Sequence, residues 1–204
     1  MLNNFVCGGQ YRQTARLGWW SPMTSIIPLR ASDLLDINAV NLDVLTETYT
    51  TDYYMEYLIR WPSLMFSAVD SAGRVIGYMI GKSEGEGLDW HSHITAVTVD
   101  KDYRRLQVGK QLVDELVVAS ESSSQNCYFM DLYVRASNKV AVDMYKKLGF
   151  HVFRRVKNYY SGPGGEDAFD MRRPLARDTK RTSLTRGKHT FEDPRLVYDY
   201  RNLE

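Results

Sequence analysis

Cysteine is nearly absent: the 204-residue chain has two, Cys7 and Cys127. Two thiols make neither a disulfide framework nor a cysteine zinc site, and a reducing, intracellular compartment is the natural expectation. The four histidines lack the company and spacing of metal ligands, so no metal is expected. No apolar run approaches the roughly 20 residues that cross a bilayer, which excludes a helical membrane span. Excess charge is missing too. With 26 Lys and Arg against 25 Asp and Glu, the formal net charge is +1, which argues against a general nucleic-acid binder. What remains is ordinary globular material, 44% hydrophobic and 25% charged. It is enough for one domain with trimmings at about 150 residues per domain.

Residues 1–22 carry Arg12 and Arg16 but no Asp or Glu, and end at Ser21-Pro22 before a second methionine, Met23. An acid-poor, Arg-bearing start can be a transit peptide, but the serine enrichment of such peptides is missing. A disordered extension, or the product of an upstream start codon, is the expectation. The folded domain is placed at residues 23–172, and a charged tail without apolar periodicity at 173–204, mobile or bound to a partner.

Within the domain, strand and helix patterns alternate. Ile26–Leu29 reads as a strand, and Ser32-Asp33 as the N-cap of a helix carrying Leu34, Leu35, Ile37 and Val40. A polar turn, Thr46–Asp52, opens a second helix with Tyr54, Tyr57 and Leu58, stopped by Trp61-Pro62. Leu64–Val69 and Val75–Ile80 form a hairpin about Asp70-Ser71-Ala72-Gly73. A loop over Lys82–Trp90 precedes the β-branched run His91–Val99. A helix over Leu106–Ala119, a strand over Tyr128–Val134, a helix over Lys139–Leu148 and a strand pair about Ser161–Glu166 complete the domain. This order gives an α+β sheet with helices packed on it. There is no internal repeat.

Chemistry concentrates after the His91–Val99 strand, in Asp102-Tyr103-Arg104-Arg105-Leu106-Gln107-Val108-Gly109-Lys110. Cations at a helix start oppose the macrodipole, so Arg104, Arg105 and Lys110 make sense if an anion is held there by them and by free backbone N–H groups. A solvated basic turn is the bland alternative. The stretch resembles the acetyl-CoA-binding turn of the GNAT acetyltransferase superfamily, Arg/Gln-x-x-Gly-x-Gly/Ala. Arg104 fills the first position and Gly109 the last, while Gln107 replaces the usual first glycine. A second GNAT signature follows in order: Asn138-Lys139-Val140-Ala141-Val142-Asp143-Met144-Tyr145-Lys146-Lys147-Leu148-Gly149-Phe150 matches Asn-x-x-Ala-x-x-x-Tyr-x-x-x-Gly-Phe. The resemblance implies the GNAT fold, a central, mostly antiparallel mixed sheet with helices on both faces. It implies acetyl-CoA as co-substrate and a cofactor site of Val97, Val99, Arg104, Arg105, Gln107, Val108, Gly109, Lys110, Asn138 and Tyr145. It also sets Tyr145 beside the cofactor sulfur, where spacing alone would make it a core aromatic.

A finer resemblance, over Met23 to about Thr179, is to the catalytic subunits of NatB N-terminal acetyltransferases. It rests on Asn41–Tyr49, Trp61-Pro62, Trp90–Val97, Asp131–Arg135, Tyr159-Tyr160-Ser161 and Glu166–Arg172. It implies acetyl transfer to the α-amine of proteins beginning Met-Asp, Met-Glu, Met-Asn or Met-Gln, by direct attack in a ternary complex. It implies too a large helical-repeat auxiliary subunit docked on the first two helices, and work at the ribosome on nascent chains in the cytoplasm, with neither DNA nor membrane as partner. The loop with Glu47 and Tyr49 would form one groove wall, with Leu42 or Leu45 against the initiator Met. His93 and Thr95 share a strand face and would read the second residue, while His91 is expected on the opposite face. Tyr159 and Tyr160 belong to a hairpin expected to close over the substrate, and Tyr78 is a further candidate. Tyr145 is the candidate leaving-group donor, His93 and Tyr159 the other catalytic candidates, and a backbone N–H of His91–Val99 the oxyanion donor. Lysine or small-molecule amines, or acetyl-CoA binding without transfer, are the competing readings.

Overall fold

Strand-forming residues between the turns assemble one seven-stranded sheet in the order β1-β2-β3-β4-β5-β7-β6, in a computed structural model that describes residues 24–41, 48–160 and 165–186. The strands are β1 Ser25–Pro28, β2 Met65–Val69, β3 Val75–Glu84, β4 His91–Val99, β5 Phe129–Arg135, β6 His151–Tyr160 and β7 Glu166–Pro174. All neighbours are antiparallel except β4 and β5, which run parallel. Residues 1–22, Leu42, Leu45, Glu47 and the turn residues 161–164 lie outside the described residues.

Helices cover both faces. On one, α3 Val108–Glu121 and α4 Lys139–Lys147 press Val108, Leu112, Val113, Leu116, Val142 and Tyr145 onto Met79, Ile94, Met130 and Leu132. Each such apolar side chain contributes about 1.5–3 kcal/mol by leaving water. Gly81 allows the close approach: a Cβ there would meet Leu116 Cδ1 at 3.0 Å. On the other face, α1 Ile37–Val40 and α2 Thr51–Arg60 bury Ile37, Val40, Tyr54 and Tyr57 against Met65, Tyr78 and Ile80. Thr50 caps α2 by accepting from the Tyr53 N–H at 3.4 Å.

Two elements differ from the sequence reading. The first helix is a 3-10 turn over Ala31–Leu35 followed by the single turn α1, and it leaves Leu35 82% exposed. Asp33 is the reason. It is buried, and its carboxylate accepts from the Arg30 N–H at 3.0 Å and from Ser67 Oγ of β2 at 3.2 Å, which binds the turn to the sheet. The charged tail is also ordered further than its lack of periodicity suggests. Through Arg186 it is held by polar bonds instead: Asp178 accepts from the Thr182 and Ser183 N–H groups, each at 2.9 Å, and Arg172 donates to the Ser183 carbonyl at 3.2 Å. Leu175 is buried beside them.

Candidate active site

β4 and β5 pair only from His91–Ile94 against Phe129–Leu132. Beyond that point β4 stays with β3 to Val99, while β5 stays with β7 to Arg135. The two parallel strands part, and β4 is left without a strand partner on that edge among the described residues. A bulge in β3–β4 at Thr95, skipped between Ile94↔Gly81 and Ala96↔Ile80, sits at the same level. Each strand then leads to a helix that starts beside the opening. Outward-pointing first-turn N–H groups make such a place suited to an anion.

The α3 start departs from ordinary helix capping. Gln107 occupies the N-cap position in the left-handed region at φ 65°, with no side-chain cap and no acid in the first turn, and Arg105 is also left-handed at φ 62°. Glycine adopts such a φ without strain, which explains its usual place in this turn. Gln107 accepts the strain and leaves its backbone N–H in place. At Gly109 a Cβ would make only ordinary contacts, 3.7 Å from Val99 Cγ2 and 3.8 Å from Met144 Sδ, which sets the start of α3 close to both β4 and α4. The uncapped turn, with its first-turn N–H groups, suits a phosphate. The expected cations are partly spent on the protein: Arg104 Nε donates to the Val99 carbonyl at 3.3 Å, and Lys110 pairs with Asp114. Asn138 caps α4 by accepting from the Ala141 N–H at 3.1 Å. Tyr145 packs edge-on against Phe150 at 5.6 Å, 7% exposed; burial, with Tyr160 adding, raises its pKa well above that of a free phenol and keeps the hydroxyl protonated.

On the sheet face that carries α2, a second group of side chains meets. His93 Nδ1 lies 2.7 Å from Asp131 Oδ1, and His91 Nε2 lies 3.6 Å from Asp131 Oδ2. His91 is therefore on the His93 face, not opposite it. Alternation along a strand puts residues 91, 93 and 95 on one side, and the structure keeps that pattern. Burial opposes charge on His91, but Asp131 and Glu84 overcome it and raise its pKa to about 9. Burial pushes the Asp131 carboxyl up, but His91, then His93 and Arg172, hold it well below the usual carboxylate range. Glu84 likewise falls to about 2 despite burial, through His91, His93 and Lys82.

The His93 ring tilts onto Tyr133 at 5.8 Å, and Tyr133 stacks on Tyr159 at 4.5 Å. Tyr160 donates to the Tyr133 carbonyl at 3.3 Å beneath the Arg135 guanidinium. Thr95 Oγ1 donates to the Tyr57 hydroxyl at 3.2 Å, which also accepts from Tyr53 at 3.0 Å; Tyr49 stacks on Tyr53 at 4.4 Å. The structure thus links His93 to Tyr159 and Tyr160 through Tyr133, and Thr95 to Tyr49 through Tyr57 and Tyr53, the two groups starting two residues apart on β4 where the strands part. Tyr78 is not among them: it is fully buried, donates to Asn41 Oδ1 at 2.6 Å and packs against Tyr54, so it is a core residue of the α2 layer. Sequence reasoning passed over Asp131, Tyr133 and Tyr57. An acid inside the apolar run Phe129–Val134 is the signal that marks Asp131, because a buried charge is kept only with partners. Among the described residues no cluster of His, Cys, Asp and Glu has a metal-site arrangement.

The comparisons agree with this geometry. A family model described as "Acetyltransferase (GNAT) family" matches residues 32–150. The chain is 46% identical over 177 residues to the N-terminal acetyltransferase B complex catalytic subunit NAA20 of Arabidopsis thaliana, covering 87% of this chain and 100% of the relative. Among solved structures it is similar to Chaetomium thermophilum Naa20 in complex with a bisubstrate analogue, at 38% identity and a TM-score of 0.73, over 80% of this chain and 93% of that one. It is also similar to a chain of the NatB acetyltransferase complex bound to CoA and MES, at 42% identity and a TM-score of 0.68, over 74% of this chain and 99% of the other.

Proposed function

Because the chain belongs to the GNAT acetyltransferase family, and within it to the catalytic subunits of NatB, we propose that it acetylates the α-amine of nascent chains beginning Met-Asp, Met-Glu, Met-Asn or Met-Gln. It is an N-α-acetyltransferase that uses acetyl-CoA. One observation carries the substrate reading: His93, tied to a buried carboxylate, stands with Thr95 at the end of the parted strands, where it can hydrogen-bond an acidic or amide side chain. An aliphatic second residue would leave that imidazole without a hydrogen-bond partner, and a cationic one would have no acceptor to offer it when the ring is protonated.

The residues divide the work as follows. Acetyl-CoA supplies the activated acetyl group. The N–H groups of Gln107, Val108 and Gly109 hold its phosphates, with Arg104, Arg105 and Lys110 adding positive charge, while Val97, Val99 and Asn138 line the way between β4 and α4. An unpartnered N–H of β4 beyond Ile94 donates to the carbonyl oxygen as negative charge develops there. Tyr145, protonated throughout the physiological range, donates to the departing sulfur. A substrate α-amine has a pKa near 7.7–8.0, so a useful fraction arrives neutral and only a weak base, or a water, need take the last proton. Tyr159 and Tyr160 close the groove from the β6–β7 side, and Tyr49 closes it from the other. Lysine, with a pKa near 10.4, would need a stronger base placed at the opening.

The auxiliary subunit docks on the first two helices, where Leu35, Met55 and Ile59 stand exposed. Ribosome association in the cytoplasm is supported by charge distribution. Residues 146–186 hold eleven Lys and Arg against four Asp and Glu, an excess hidden in the near-neutral total. Such a segment favours a polyanionic surface such as ribosomal RNA.

Peptides beginning Met-Asp, offered once with a free N-terminus and once N-terminally blocked but carrying lysine, test the acceptor. Turnover of the free form alone is expected; turnover of the blocked form would overturn the α-amine reading.

A further inference from the structure

His93 and His91 divide Asp131 between them, one oxygen each: Oδ1 lies 2.7 Å from His93 Nδ1 and Oδ2 3.6 Å from His91 Nε2. His91 also places Nδ1 2.6 Å from the Asp89 carbonyl and Nε2 3.7 Å from Glu84. Both of its ring nitrogens face acceptors, so it serves as a fixed cation. It guards the second Asp131 oxygen and leaves the first to His93 alone. The other charged groups around the pair are Lys82 and Glu84 on β3, Asp170 and Arg172 on β7, and Arg154 on β6, which binds Asp170 at 2.8 Å. None of them reaches the outer nitrogen of His93.

A carboxylate has no proton to give, so the proton in the 2.7 Å contact belongs to His93 Nδ1. The ring then presents Nε2 outward. When neutral, Nε2 is a lone pair; when the ring is protonated, it is a donor flanked at the back by a buried anion. We propose that Asp131 is a specificity-determining positioning residue: it fixes the Nδ1 proton of His93 and supports the imidazolium that pairs with an acidic second residue of the substrate. A substrate Asp or Glu would complete a carboxylate–imidazolium–carboxylate line, whereas Asn or Gln needs only a neutral partner. One side chain reads both kinds of residue, but only the acidic kind depends on the charge of Asp131. This deepens the peptide-reading role given to His93 above and rests on it.

The test is Asp131→Asn in the assembled enzyme, with Met-Asp, Met-Glu, Met-Asn and Met-Gln peptides. Asparagine keeps the shape and an acceptor oxygen but removes the charge. Charge-assisted hydrogen bonds are about twice as strong as neutral ones, so kcat/KM for Met-Asp and Met-Glu should fall on the order of five- to tenfold more than for the amide pair. CoA affinity should not change. Equal losses on all four peptides would reduce Asp131 to a structural residue and overturn the proposal. If the wild type itself fails to prefer these four over Met-Leu, the reading of His93 falls and takes the proposal with it. A second measurement avoids the variant: with 15N-histidine in the wild-type complex, the His93 proton should sit on Nδ1 in the neutral ring. A neutral ring protonated on Nε2 would contradict the proposal whatever the kinetics.

Discussion

Replacing His93 by Ala removes, among the described residues, the one imidazole at the opening whose outer nitrogen is uncommitted, and selectivity should suffer before catalysis. The preference for Met-Asp over Met-Leu should shrink by about tenfold, the value of roughly one charge-assisted contact, and a competition assay would read it. Tyr145→Phe tests the opposite end of the reaction. The hydroxyl is buried and stays protonated, so losing it should lower kcat by on the order of a hundredfold, in the range of a lost general acid. CoA affinity should barely move, and equal losses in both would contradict the leaving-group role. His91 carries a pH signature of its own. Its pKa of about 9 lies above the unfolded value near 6.5, so its stabilisation is complete below pH about 6.5 and is lost as pH rises through about 9. Thermal melts from pH 6.5 to 9.5 should show falling stability, and His91→Gln should flatten that slope.

At the scale of elements, the turn before α3 is the place proposed to hold the cofactor phosphates. Gln107 at φ 65° is strained by roughly 1 kcal/mol or more relative to glycine. Gln107→Gly should raise the melting temperature or tighten CoA binding, and a loss of both would mean that the glutamine side chain itself touches the ligand. The order of strands and helices was legible from apolar periodicity, turn residues and caps such as Thr50 and Asn138, because these are local effects. The first helix differs because Asp33, a good N-cap by type, instead accepts from the Arg30 N–H three residues back and from Ser67, 34 positions away. Past Arg173, polar capping by Asp178 holds the chain through Arg186 with no hydrophobic period to detect, and residues 187–204 lie outside the described residues. Tyr78 and Asp131 mark the same limit at the site. Whether an aromatic lines a groove or fills a core, and whether an acid is paired, depends on strands that the sequence does not pair for the reader.

For the whole molecule, two surfaces remain for partners. Leu35 at 82% and Ile59 at 75% exposure are the large apolar residues of the first two helices most open to solvent. The double variant Leu35→Asp, Ile59→Asp should fold normally by circular dichroism yet fail to co-purify with the auxiliary subunit; unchanged co-purification would move the interface elsewhere. The basic excess over residues 146–186 predicts ribosome association that weakens steeply with salt, as phosphate contacts do.

The measurement closest to the central claim is acetyl transfer by the purified complex to free peptides differing only in their first two residues: Met-Asp, Met-Glu, Met-Asn, Met-Gln, Met-Leu, Met-Lys and Ser-Glu. Turnover of the first four is expected, with the other three weaker by at least an order of magnitude, since Met-Leu offers His93 no hydrogen-bonding group, Met-Lys brings a cation to it and Ser-Glu lacks the initiator Met. Comparable turnover of Met-Leu or Met-Lys would show that the paired imidazole does not read the second residue.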